Sequence, residues 1–367
     1  MTAAIAAIAT RTMIFFMPRM VPELARLRFA PGSTVHGPGT LTGMTADPIT
    51  AQSKPTRRRM FAVAAWATLA FNVLVILGGS IVRATGSGDG CGETWPKCGD
   101  QFIPSSPAVE TVIEFSHRLS SFFAGIGVAV VFFLALWIFQ KGSIVRKAAT
   151  WSGVFLVLEA LIGAALVVFG WVDDDVSLGR TIVVPLHLTN TFFLLGALTL
   201  TAWWGSGFPA PKSGIRSPAG RWVLIGALAI VVMGATGALN ALADTIFPAD
   251  SVAGDLTEKF GPTAPMLSRL RIVHPVISVA GGMFVAWVAT SRSRRSPERT
   301  TRLASAVTLI VLSQMFVGIA NIFFLTPLSL QLTHLMVADI LWIVFVVFGA
   351  SLLGDPVQRR VEAGASA

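Results

Sequence analysis

Eight stretches of about 20 residues, each nearly free of charge, decide what this chain can fold into. The hydrocarbon core of a bilayer is about 30 Å thick, and about 20 apolar residues in a helix cross it. By that criterion the spans fall at 61–83, 117–139, 149–171, 182–204, 221–242, 268–290, 304–325 and 329–352. Backbone amides have no water to bond inside lipid, so such spans must be helical. Composition agrees. Hydrophobic residues make up 53% of the 367-residue chain and charged residues 13%, more apolar surface than a water-soluble fold could cover. The expected fold is an all-α membrane protein whose eight transmembrane helices form two tandem, pseudo-symmetric four-helix bundles.

The net charge of +9 does not indicate nucleic acid, because the basic residues fall in short loops and not in one patch. Arg57, Arg58 and Arg59 precede the first span, Lys141, Arg146 and Lys147 lie near 140–147, and Lys212, Arg216 and Arg221 lie near 212–221. Arg292, Arg294, Arg295, Arg299 and Arg302 follow the sixth span. The alternate loops carry acids: Asp89, Glu93 and Asp100; Asp173, Asp174 and Asp175; Asp244, Asp250, Asp255 and Glu258. Basic loops stay on the cytoplasmic side. Both termini are therefore expected in the cytoplasm, with the protein spanning the cell membrane and the lipid bilayer as its solvent. Residues 1–55 read as a disordered extension, a weak targeting segment, or an over-extended start, with Met44 as an alternative beginning.

The spans repeat. Ala84-Thr85-Gly86 matches Ala235-Thr236-Gly237, Glu159 and Gly163 match Gln314 and Gly318, His117 matches His274, and His187 matches His334, at offsets from 147 to 157 residues. Four spans per half give a parallel repeat about an axis along the membrane normal. The expected division is an N-terminal extension 1–55, a first half 56–205, a cytoplasmic linker 206–220, a second half 221–353 and a tail 354–367.

Four of the five histidines, His117, His187, His274 and His334, sit on the even-numbered spans near their starts, and only His36 lies elsewhere. A histidine inside a membrane needs a partner. Two at matched depth in each half suggest an iron ligated from both sides. Zinc and copper want more donors than two imidazoles, whereas haem brings four nitrogens of its own and needs only axial ligands. Propionates would want cations at the aqueous edge. Arg83, Arg118, Arg180, Arg269 and Arg271 lie at outer helix ends, and Arg118 and Arg271 are the expected propionate contacts. Glu114 precedes His117 by three residues, on one helix face with it, whereas the matching place in the second half is Arg271. That asymmetry suggests that one site reacts while the other stores or passes electrons. Cys91 and Cys98 lie in the first outward loop, where an oxidising compartment permits a disulfide; a structural staple and a redox role both remain open. Asp339 has no evident role.

Together these motifs resemble the haem A synthase family, membrane enzymes that convert haem O to haem A. The resemblance runs over residues 60–352. It rests on Gly79-Ser80-Ile81-Val82-Arg83-Ala84-Thr85-Gly86-Ser87-Gly88, on Cys91, Trp95-Pro96 and Cys98, and on Glu114-Phe115-Ser116-His117-Arg118. In the second half it rests on Gln314, Gly318, Asn321, Pro327 and His334. It implies a haem b held by His274 and His334, and a substrate haem O flanked by His117 and His187. The C8 methyl would be oxidised to a formyl by successive hydroxylations, with oxygen from water. Glu114 would lie near that methyl. A farnesyltransferase making haem O is the implied neighbour, and the electron acceptor is unknown. Glu159 departs from expectation, which by analogy with Gln314 would be glutamine. Two other classes share some of these features. A b-type cytochrome passing electrons from quinol would also carry four histidines, but would not need Glu114 on one side. A transporter would break its helices at mid-membrane.

Overall fold

The computed structural model describes residues 55–105, 107–248, 251, 254 and 266–354. The expectations for the extension up to residue 54, for His36, for the acidic residues Asp250, Asp255 and Glu258, and for the tail after 354 lie outside the described residues. Eight helices are long and apolar enough to cross a membrane. They are α1 (Pro55–Ala84), α2 (Val109–Ile138), α3 (Ile144–Val168), α4 (Leu178–Gly205), α5 (Pro218–Ile246), α6 (Met266–Ser293), α7 (Glu298–Phe323) and α8 (Leu328–Gly354). α6 is broken after Leu270 and resumes at Val273. No strand occurs among the described residues.

Helix starts follow local chemistry. Ser143, Ser177 and Ser217 each cap a helix by accepting from a backbone N–H three residues on, at Arg146, Arg180 and Gly220. These bonds satisfy donors that a helix start would leave unpaired. α2 begins eight residues before the span expected from hydropathy, because Glu110, Thr111, Glu114 and Ser116 dilute the apolar signal without breaking the helix. α5 likewise runs on to Ile246 through Asn240, Asp244 and Thr245. His117 and His187 therefore sit more than two turns inside their helices, deeper than the spans implied.

Contacts close two rings of four. In the first, α1 packs on α2, α2 on α3, α3 on α4 and α4 on α1; in the second, α5 packs on α6, α6 on α7, α7 on α8 and α8 on α5. α4 meets α5 and α8, and α1 meets α8, so α4 and α8 form the centre of the eight described helices. Lipid tails are as apolar as leucine, so close packing rather than water exclusion holds such helices together. One core of buried side chains runs through both rings, including Val128, Phe192, Leu195, Val285, Val307 and Phe348. Trp342 of α8 stacks on Phe192 of α4 at 5.6 Å, and its indole N–H donates to the Phe192 carbonyl at 2.6 Å. Gly196 leaves the room for that indole, since a Cβ there would stand 3.3 Å from the ring.

Candidate functional site

A cavity of about 1560 Å³ opens within the helices, and His117, His187, His274 and His334 all line it. Sites for one small molecule run about 300–1,000 Å³, so the space exceeds that of a single such ligand. Its walls are mostly apolar, and Glu114, Arg118, Glu159, Arg271 and Gln314 also border it.

Each histidine reaches the cavity over a glycine of the preceding odd-numbered helix. A Cβ on Gly79 of α1 would stand 2.9 Å from the His117 ring, one on Gly237 of α5 3.0 Å from His274, and one on Gly318 of α7 3.2 Å from His334. Gly163 of α3 meets His187 at 3.7 Å in the same way. No side chain fits between ring and helix at the tighter three, so the imidazoles lie flush on their neighbours. Gly79 and Gly237 stand 158 residues apart, and Gly163 and Gly318 155, close to the spacing of the histidines themselves. Gly163 and Gly318 keep the repeat read from the sequence, whereas Gly237, matched there with Gly86, has Gly79 as its counterpart against the histidine.

His274 and His334 are brought together, with ring centroids 6.3 Å apart and planes at 88°. One metal ion bonded at about 2 Å on each side, plus the half-width of each ring, fills that separation. Nδ1 of His274 lies 3.2 Å from both Thr236 Oγ1 and Ser278 Oγ. Nε2 of His334 lies 3.2 Å from the Gln314 amide nitrogen. Among the described residues, no group of three or more His, Cys, Asp or Glu side chains converges to hold a bare ion. Two imidazoles facing an apolar cavity suit a haem, which supplies the remaining donors itself.

Glu114 is 3% exposed. Its Oε2 accepts from the Cys91 amide at 2.6 Å, and its Oε1 accepts from Arg118 Nε and Nη2 at 2.9 and 2.5 Å. Arg118 Nη1 also donates to the carbonyls of Thr94 and Lys97, each at 2.6 Å. Cys91 and Cys98 are joined as a disulfide, so all these partners lie within one closed loop over the helix. Gly90 allows that loop to touch down, since a Cβ there would stand 2.5 Å from the Glu110 backbone. Arg118, expected at a propionate, is thus occupied chiefly with Glu114 and the loop.

The other outer arginines are also engaged. Arg271, 1% exposed, pairs with Asp244 at 3.2 Å and donates to the Ala243 and Phe247 carbonyls at the end of α5. The expected contrast of a carboxylate in one half with a cation in the other is therefore tempered, because each stands in an ion pair. Arg83 of α1 donates to Ala241 O at 2.6 Å, to Thr245 Oγ1, and to Gln331 Oε1 at 2.9 Å, joining the two rings where α1 and α5 end and α8 begins. Arg180 donates to the Asp173 and Asp175 carbonyls, and Arg269 lies on the short first part of α6. Asp339 is fully buried on α8 with neither carboxylate oxygen hydrogen-bonded, and it does not border the cavity.

Glu159 accepts from Asn190 Nδ2 at 2.6 Å and from Thr191 Oγ1, and its Oε1 lies 3.5 Å from His187 Nδ1. Sequence reading marked this residue as a departure but could not place it beside His187, because the two lie on different helices.

Known proteins match this sequence. The model of the cytochrome oxidase assembly protein family, COX15-CtaA, matches residues 62–346. A Thermus thermophilus protein named protoheme IX farnesyltransferase is 41% identical over 302 residues, which is 82% of this chain and 49% of that protein. The heme A synthase of Bacillus cereus (strain AH187) is 47% identical over 98 residues, 27% of this chain and 32% of that protein. The chain thus spans about half the length of the Thermus relative. Since the family match runs from within α1 to within α8, the chain belongs to the COX15-CtaA family of cytochrome oxidase assembly proteins.

Proposed function

We propose that this protein is a haem A synthase, oxidising the C8 methyl of haem O to a formyl group by successive hydroxylations with water as the oxygen source. The observation that carries the reading is a single cavity bordered by four histidines, with one buried carboxylate, Glu114, three residues from His117. In this reading His117 and His187 flank the substrate haem O. His274 and His334, whose rings lie 6.3 Å apart, would hold a resident haem b, which would supply electron-accepting chemistry on the way to an acceptor. The rings α1–α4 and α5–α8 are then a tandem pseudo-symmetric pair, with halves 56–205 and 221–353.

The residues have definite tasks here. Glu114, fixed by Cys91 and Arg118, presents a carboxylate that stabilises positive charge growing at the methyl carbon or accepts its proton. Arg118 and Arg271 border the cavity and present positive charge toward propionates while keeping their ion-pair partners. The basic loops orient the chain with both termini in the cytoplasm of the cell and the histidines toward the outer face. A farnesyltransferase supplying haem O is the proposed neighbour, supported by the Thermus relative of that name, whose chain extends well beyond the aligned part.

The test uses Glu114→Ala. The expected outcome is a purified protein with unchanged haem b content that makes no haem A when supplied with haem O. Normal conversion would remove Glu114 from the chemistry. A b-type cytochrome that only passes electrons would yield no formyl product even in its unaltered form.

A further inference from the structure

We propose that Glu159 is a positioning residue for His187, orienting its imidazole and enriching it in electrons, and that this sets the His187 site apart from the His334 site. The proposal rests on the reading of these histidines as haem ligands. Asn190 and Thr191, which hold the Glu159 carboxylate, follow His187 by three and four residues on α4. At that spacing their side chains share a helix face with the imidazole. The helix carrying the histidine therefore also clamps its acceptor.

The clamp leaves Oε1 3.5 Å from Nδ1 of His187, close but not hydrogen-bonded, and that buried nitrogen has no hydrogen-bond partner. Such contacts are often long in unloaded sites and tighten on binding. A proton held on Nδ1 toward Glu159 fixes one neutral tautomer and leaves the Nε2 lone pair for a metal. An acceptor behind a ligating imidazole orients the ring and raises its basicity. In the second ring a neutral amide stands by the histidine instead, and at the other nitrogen: Gln314 Nε2 is 3.2 Å from His334 Nε2. It brings no negative charge. An iron bound to His187 is thus the more strongly stabilised in its oxidised state, whereas Gln314 leaves the His334 site free of that bias.

The experiment uses the purified full chain and its Glu159→Gln and Glu159→Ala variants, each titrated with protohaem, with His187→Ala as reference. Glu159→Gln keeps an acceptor for Thr191 and so guards against simple misfolding. The expected results are a higher reduction potential for the His187-dependent haem in Glu159→Gln, and a loss of protohaem affinity of about 10–100-fold in Glu159→Ala. Potential and affinity unchanged in both variants would overturn the proposal and leave Glu159 a packing residue. Nitrogen NMR of His187 in haem-free protein reads the same contact independently. An Nδ1–H tautomer that becomes mixed in Glu159→Gln supports the proposal, and one tautomer common to all forms contradicts it. If His187→Ala binds as much protohaem as the unaltered chain, it is the ligand reading that fails, and the NMR result alone then decides the contact.

Discussion

Glu114 and Arg271 occupy matching places before His117 and His274, and each has found a partner of opposite charge, Arg118 in one case and Asp244 in the other. A buried charge without such a partner would be costly. The choice of charge was legible in the sequence, as was the i,i+4 spacing that pairs Glu114 with Arg118; the Arg271–Asp244 pair was not, because Asp244 sits on another helix. The same limit applies to the glycines. Gly237 reads as part of a short repeated motif, yet its use is to let the His274 ring lie 3.0 Å from where a Cβ would be. Gly237→Val is therefore expected to push that imidazole off its helix, with overpacking that costs about 1–3 kcal/mol. Absorption spectra of the purified variant should show loss of the haem assigned to His274 and His334. An unchanged haem spectrum would mean that the glycine is not needed for the site.

At the level of elements, hydropathy located all eight helices, because crossing a bilayer requires runs that no loop of this chain imitates. It cut these helices short where Glu110, Thr111 and Glu114 extend α2 and where Asp244 and Thr245 extend α5. Those polar turns are where the site chemistry gathers, so the least legible part of each helix is the part that matters most for function. The loop closed by Cys91 and Cys98 belongs to the same region and holds Glu114 through a backbone N–H and Arg118. Replacing both cysteines by serine is expected to loosen that loop and lower haem A yield several-fold, with the resident haem retained. Limited proteolysis should then cut between residues 91 and 98 in the variant and not in the parent. A full yield in the variant would show that the helix alone positions Glu114.

For the whole molecule, the two rings share one core through α4 and α8 and are tied by Arg83 where α1 ends. The internal repeat was visible as matched motifs at similar offsets, but the merging of both sites into one cavity was not, since it depends on how the rings face each other. Arg83→Ala leaves the Gln331 side-chain Oε1 and the end of α5 without their donor, and hydrogen bonds to charged groups contribute about 1.5–3 kcal/mol each. A lower unfolding temperature in detergent is expected, and an unchanged one would mean that core packing alone joins the rings. In the proposed division of labour the first ring alters a haem while the second retains one. Expressing the chain beside a source of haem O and analysing the extracted pigments by mass separates these two tasks. The expected result is haem A in the unaltered chain and only haem O in Glu114→Ala, with haem b present in both. Haem O left unconverted by a chain that carries its full haem b would contradict it.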